Sequence, residues 1–263
     1  MAAWQVMGRG LLAVFSLTGW SVLALVLVRR MGLDMTDYRA RTSAPFLGLM
    51  GLLNLLIVGT LALQLHVLDA RPLSDLGFGL DGRSLRFVAL AGAIALVAAL
   101  GLVGLLHARG ALRARWGTWT PRTLPHAALG YLALFSAAFS EEVVFRGYLG
   151  MNLAPWGTPT ALVVSTAVFT VWHFLTNRVS WLQVLNWALG GALLFGVYQA
   201  SGSLWVAALV HFLLNLVNVV VFNYAESFSW ITLDRPFRLS WKTGYTVTLA
   251  LGLTLLARLY FQG

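Results

Sequence analysis

About eight runs of apolar residues, separated by short charged loops, take up most of this 263-residue chain. A bilayer core is about 30 Å thick and is crossed by about 20 apolar residues in a helix. Runs of that length leave a chain few ways to fold other than as membrane-spanning helices. The composition agrees: 59% of the residues are hydrophobic and 10% charged, where soluble domains carry about 25% charged residues. The pattern predicts spans from about Gly10 to Val28, Ala44 to Leu68, Phe87 to Leu106, Leu124 to Gly150, Thr160 to Thr176, Trp181 to Tyr198 and Leu204 to Phe222. A last span starts near Thr243. The expected fold is an all-α polytopic membrane helix bundle of about eight transmembrane helices. No internal repeat or low-complexity linker divides residues 1–263, so a single domain is expected.

The loops carry their own signals. The stretch Asp69 to Arg86 is too short and polar to span, and it mixes Pro72, Asp75 and glycines with Leu76, Phe78 and Leu80. It reads as an interfacial segment leading into the third span. Loop three sets Arg109, Arg113, Arg115 and Arg122 beside Trp116 and Trp119, the pattern of an interface anchor. Pro121 and Pro125 flank the start of the fourth span, where proline is tolerated in a first turn. Gly190, Gly191 and Gly196 give the sixth span small residues that let helices approach closely. The net charge of +9 would suit nucleic acid, but the basic residues are spread through short loops. Membrane topology accounts for them, and no nucleic-acid partner is expected. The absence of cysteine excludes disulfides and thiol nucleophiles. The first run lacks a small-residue cleavage pattern and reads as a span, not a signal peptide. The ending Leu259 to Gly263 resembles the remnant of a protease-cleavable purification tag and is left out of the functional reading.

Three of the nine acidic residues are glutamates, and two of those stand side by side in Phe139-Ser140-Glu141-Glu142-Val143-Val144-Phe145-Arg146-Gly147. A charge at mid-bilayer depth costs roughly 2.5–3.5 kcal/mol on insertion scales, so intramembrane carboxylates read as functional by default. Arg146 follows Glu142 by four residues, one turn on the same face, and can neutralise it. Glu141 points about 100° round the helix, at ~3.6 residues per turn, and has no such partner.

His66, His107 and His126 lie near span ends and carry no signal. His173 and His211 lie inside apolar spans, with Phe169 one turn before the first and Asn215 one turn after the second. A lone buried histidine is usually a packed core residue. The joint pattern says more, because Glu141, His173, His211 and Asn215 come from spans four, five and seven. If those spans pack together, the four converge on one active site. A carboxylate beside an imidazole can take a proton from water, and the hydroxide-like nucleophile can attack a carbonyl. His211 and Asn215 can supply donors for the developing oxyanion. A polar network serving only packing would not need an unpaired Glu141. Carboxylate plus two imidazoles is also a zinc set, so Glu141, His173 and His211 leave a metal alternative open. No His-Glu-x-x-His motif supports a standard zincin, and no aspartate lies inside a span for an aspartyl protease. Ser201 reads as part of a polar turn. A proton or ion relay through Glu141 and Arg146 would call for inverted repeats or helices broken in matching halves, and neither is visible.

Glu141-Glu142-x-x-x-Arg146, Phe169-x-x-x-His173 and His211-x-x-x-Asn215 resemble, in order and approximate spacing, three motifs of the CAAX prenyl protease and bacteriocin-processing (CPBP) family. That family includes the type II CAAX prenyl endopeptidases, which are glutamic intramembrane proteases. The resemblance covers about residues 125–222. The stretch Leu73-Ser74-Asp75-Leu76-Gly77 is also similar to an interfacial segment that family members often carry. The resemblance implies an intramembrane endopeptidase acting on a membrane-anchored protein or peptide tail in the lipid bilayer. Glu141 and His173 would activate water, and His211 and Asn215 would form the oxyanion site. Glu142, Arg146 and Phe169 would support them, and no cofactor would be needed. A non-catalytic membrane scaffold of the same fold and a zinc-dependent membrane protease are the competing readings. Relatives handle prenylated CAAX tails, bacteriocin leaders and C-terminal sorting tails. An arginine-rich, nearly lysine-free composition suggests a high-GC bacterium, which favours the myxosortase-like sorting-tail group over prenylated substrates.

Orientation follows from charge. The odd-numbered loops hold Arg29, Arg30, Arg39, Arg41, Arg109, Arg113, Arg115, Arg122, Arg178, Arg235, Arg238 and Lys242, while Arg9, Arg71, Arg83, Arg86 and Arg258 lie at the other end. The positive-inside rule places the odd loops in the cytoplasm of a bacterial inner membrane and both termini outside. Glu141 falls about nine residues before the outer end of its span, roughly 13 Å deep at ~1.5 Å per residue. The site is therefore expected to open outward, toward a substrate already exported.

Overall fold

A backbone out of contact with water must satisfy its own hydrogen bonds, and helices do this within each segment. The computed structural model describes residues 3–33, 42–117, 123–175, 179–222 and 228–262. Eight long helices follow one another there: α1 Ala3–Arg30, α2 Ala44–Asp69, α3 Gly82–Ala108, α4 Leu124–Glu142, α5 Thr158–Trp172, α6 Trp181–Ser201, α7 Leu204–Val220 and α8 Leu239–Gln262. Beyond Glu142, α4 runs on through a π-helical stretch, Val143–Leu149, into a last turn, Gly150–Leu153. Six helices are long and apolar enough to cross a membrane, and α5 and α7 are shorter apolar helices. The polytopic helical bundle expected from the sequence is the fold observed.

Local chemistry starts and stops these helices. Prolines fall in the first turns of α2, α4 and α5, where their missing N–H goes unneeded. The Asp81 carboxylate accepts from the Ser84 N–H at 2.7 Å to cap α3. Ser180 and Ser203 cap α6 and α7 in the same way. Gly202, at φ +65°, ends α6 in the left-handed conformation.

Two features depart from the sequence reading. Loops three and seven pair as a two-stranded antiparallel sheet, β1 Ala114–Trp116 against β2 Ile231–Leu233. The Arg113 N–H donates to Asp234 at 2.8 Å, and that bond holds the Asp234 carboxyl below its usual range. Strands this short, far apart in sequence, have no periodicity to betray them. Trp116 stays 77% exposed, in keeping with an interface anchor. Trp119, Arg122, Pro121, Arg39, Arg41, Arg178 and Glu226 lie outside the described residues. The tag-like ending continues α8 to Gln262, and its Tyr260 and Phe261 rings lie 5.5 and 5.0 Å from Phe87.

Two clusters make up most of the core. One joins α3, α6, α7 and α8 through Phe87, Leu193, Val210 and Leu253. The other joins α1, α2, α5 and the π-helical stretch through Leu17, Leu61, Phe145 and Phe169. The segment between α2 and α3 does not lie free at an interface. It forms a 3-10 turn, Leu73–Leu76, stitched to the α6–α7 turn. The Tyr198 hydroxyl donates to Leu76 O at 3.0 Å, the Leu204 N–H to Gly77 O at 2.6 Å, and the Ser203 hydroxyl to Gly79 O. Gly77 has φ +81°, and a Cβ there would collide with the carbonyl oxygen of Gly202.

Candidate active site

The glutamate pair sits where α4 changes character. The backbone widens into π-helix just after Glu142, and every residue from Val143 to Leu149 is buried. Such insertions are frequent at functional sites. Glu142 itself has no exposed surface, and its Oε1 accepts from Arg146 Nη1 at 2.9 Å. The spacing of one turn predicts this pair. Arg146 is anchored further by donating Nη2 to Gly191 O at 3.0 Å and by lying 4.4 Å from the centroid of the Phe169 ring. A Cβ at Gly191 would press on Phe169 and Thr166, so the glycine lets α6 come close enough to accept.

Glu142 has a second partner that its spacing did not announce: His211 Nδ1 lies 2.8 Å from the same Oε1. A carboxylate paired with arginine can only accept, so Nδ1 carries the proton. His211 Nε2 then faces the other glutamate, 3.8 Å from Glu141 Oε2. Glu142 thus sets the tautomer and direction of the His211 ring, a role distinct from neutralising Arg146. Glu141 keeps 13% of its side chain exposed and faces the cavity described next.

His173 is the first residue of a 3-10 turn, His173–Leu175, that closes α5. Its Nδ1 lies 2.8 Å from Phe169 O, which can only accept, so Nδ1 donates and Nε2 of the neutral ring keeps its lone pair. Phe169, Trp172 and Trp187 surround the ring at centroid distances of 4.5 to 5.1 Å. The Phe-x-x-x-His spacing thus corresponds to a backbone contact that orients the imidazole.

Glu141, His173, His211 and Asn215 all line one cavity of about 170 Å³. It lies at the seam between the two core clusters, walled on one side by Phe169 and on the other by Leu193, Leu194 and Leu249. Gln183, Asn186, Asn218 and Lys242 line it too, and the sequence reading passed over them. Amides recurring three apart within apolar spans, Gln183 with Asn186 and Asn215 with Asn218, were the available signal. Of the remaining histidines, His107 accepts from the Ala114 N–H at 3.2 Å and His126 packs on Phe228. The Ser201 hydroxyl donates to Val197 O at 2.8 Å, as a turn residue does. Among the described residues, no three His, Cys, Asp or Glu side chains are gathered to hold a metal ion. The zinc set Glu141, His173 and His211 shares a cavity without forming such a group.

The cavity extends toward one end of the bundle. Gln183 lies in the first turn of α6, Asn218 in the last turn of α7 and Lys242 in the first turn of α8, so the cavity reaches toward the odd-numbered loops. At the opposite end the 3-10 segment covers the bundle. Leu76 is 1% exposed there, and the Phe78 ring packs on Phe139 and Trp205 at 6.0 and 5.9 Å. Depth counted in residues from a helix end cannot register a loop that folds back over that end.

The fold and the cavity define a polytopic helical membrane protein with a buried carboxylate–imidazole site. Residues 123–217 match the family model described as Rce1-like: Type II CAAX prenyl endopeptidase Rce1-like. The matched stretch is similar to that family, and it nearly coincides with the residues 125–222 that carry the motif resemblance. No curated protein and no solved structure matches the chain.

Proposed function

We propose that this chain is a glutamic intramembrane endopeptidase that hydrolyses a peptide bond in a membrane-anchored protein or peptide tail. The observation that carries the reading is the convergence of Glu141, His173, His211 and Asn215 on one cavity. Glu141 and His173 take a proton from a water molecule, whose oxygen attacks the scissile carbonyl carbon. The carbonyl oxygen becomes an oxyanion facing His211 Nε2 and the Asn215 amide. Donation from Nε2 requires the imidazolium form of His211, since Nδ1–H is already given to Glu142. The carbon–nitrogen bond then breaks as the proton held by Glu141 or His173 passes to the leaving amine. A carboxylate and an amine result, and no metal or other cofactor is consumed.

The positive charge of the odd loops places them in the cytoplasm, and the cavity extends toward them. The substrate's scissile segment is therefore reached from the cytoplasmic side of a bacterial inner membrane. That direction no longer favours exported sorting tails over cytoplasmic ones. Comparative proteomics of membrane and surface fractions, from cells holding the native chain or Glu141→Ala, tests the function. Uncleaved precursors should accumulate with the variant. Unchanged processing at equal protein level favours the scaffold reading, and loss of processing on chelation, restored by zinc, favours the metal reading.

A further inference from the structure

The chemistry in the cavity leaves the β1–β2 sheet unused. The sheet joins the loop that follows α3 to the loop between α7 and α8. Side chains alternate along a strand, and the two faces of this sheet differ. Ile231 and Leu233 turn inward and belong, with Leu112, to the core cluster of α3, α6, α7 and α8. Arg113 and Arg115 fall on the other face, and both are exposed, as is Thr232 opposite Arg115. At about 3.3 Å per strand residue, the two arginines stand about 7 Å apart along the sheet. Backbone bonds hold the platform in place. The Ala114 N–H donates to His107 Nδ1 at 3.2 Å and ties β1 to the end of α3. The Trp230 N–H donates to Val220 O at 2.9 Å and ties the approach to β2 to the end of α7.

The Asp234 carboxylate is taken up by the Arg113 N–H at 2.8 Å and the Arg235 guanidinium at 3.3 Å. Among the described residues, no ion pair joins a carboxylate to the guanidinium of Arg113 or Arg115. A guanidinium is a planar fork that matches phosphate in bidentate fashion. The Gly117 N–H donates to Trp230 O at 2.8 Å, which brings exposed Trp116 and Trp230 to the same end of the sheet. Indoles of this kind sit at the level of lipid headgroups. A soluble polyanion would not call for them, whereas a basic surface beside a bilayer meets anionic headgroups directly. We propose that the outer face of the β1–β2 sheet, with Arg113 and Arg115 as its phosphate-binding pair and the two tryptophans at its edge, is a binding site for the headgroup of an anionic phospholipid. It takes one headgroup in a fixed place, which is more than the general attraction of basic loops to a negative leaflet. The site is independent of the chemistry in the cavity.

The test uses the full chain in nanodiscs of phosphatidylcholine, with or without phosphatidylglycerol. Native mass spectrometry reads the lipid retained, and thermal unfolding reads the stabilisation. The native chain should retain phosphatidylglycerol in preference to phosphatidylcholine. Its unfolding temperature should rise by about 2–4 °C when the anionic lipid is present, since a ligand that binds only the folded chain stabilises it. Replacing both arginines, Arg113→Gln with Arg115→Gln, should weaken that retention about 25-fold, about fivefold for each arginine. The same pair should unfold like the native chain in phosphatidylcholine alone. Arg29→Gln with Arg30→Gln removes equal charge from the end of α1 and should leave the preference in place. Arg113→Lys with Arg115→Lys keeps the charge without the fork and should fall between the native chain and the glutamine pair. If the glutamine pair does not fold, the lysine pair decides, and retention equal to the native chain's overturns the site. No preference for phosphatidylglycerol in the native chain overturns it as well. An equal loss in the Arg29 and Arg30 pair overturns it in favour of general surface attraction. Equal stabilisation by glycerol phosphate added to neutral nanodiscs overturns the lipid as its ligand.

Discussion

Glu141 and Glu142 are neighbours in the chain with opposite surroundings. Glu142 is closed in by Arg146 and His211, while Glu141 faces the cavity. Removing the carboxylate of Glu142 leaves Arg146 buried at 1% side-chain exposure without its counter-charge. Breaking such a pair costs about 3–5 kcal/mol, so Glu142→Ala should unfold at markedly lower temperature in detergent. A melting curve that matches the native chain would contradict this. His211→Ala and Asn215→Ala remove oxyanion donors and should lower kcat by about 10²–10³-fold with a smaller change in KM. A change confined to KM would instead make them binding residues. At this scale the sequence is only partly legible. The Glu142–Arg146 pair is visible because its partners are one turn apart. The Glu142–His211 contact joins α4 to α7, and nothing in either local sequence announces it.

At the scale of elements, spans and their order were legible because bilayer thickness and apolar run length are tied together. The β1–β2 pair and the placement of the 3-10 segment were not, since both are tertiary contacts made by short polar stretches. The 3-10 segment closes the even-loop end of the bundle through the backbone of Gly77 and Gly79. Gly77→Ala adds left-handed strain of about 1–3 kcal/mol and a clash with the Gly202 carbonyl. It should loosen this cover, read as faster proteolysis within residues 70–81 and a lower unfolding temperature. Native-like resistance would show that the cover is held elsewhere. The π-helical stretch after Glu142 was also hidden, because an extra residue in a helical turn leaves no compositional mark.

At the scale of the molecule, the charge asymmetry and the cavity point the same way. The chain has no native cysteine, so single cysteines at the exposed positions Asp75 and Arg109 report the two sides cleanly. A membrane-impermeant reagent on intact cells should label Asp75→Cys and spare Arg109→Cys. The reverse pattern would turn the site toward the outside. The catalytic motifs lie on α4, α5 and α7, yet α6 and α8 supply much of the cavity wall, including Lys242. The catalytic motifs were therefore readable while half of the pocket that would receive a substrate was not. The central claim is that Glu141 activates water for peptide hydrolysis. It is tested most directly by turnover of purified Glu141→Gln in lipid nanodiscs, on a substrate found by the proteomic comparison. Turnover should fall by at least about 10²–10⁴-fold with the unfolding temperature unchanged. Turnover within about tenfold of the native chain would contradict it.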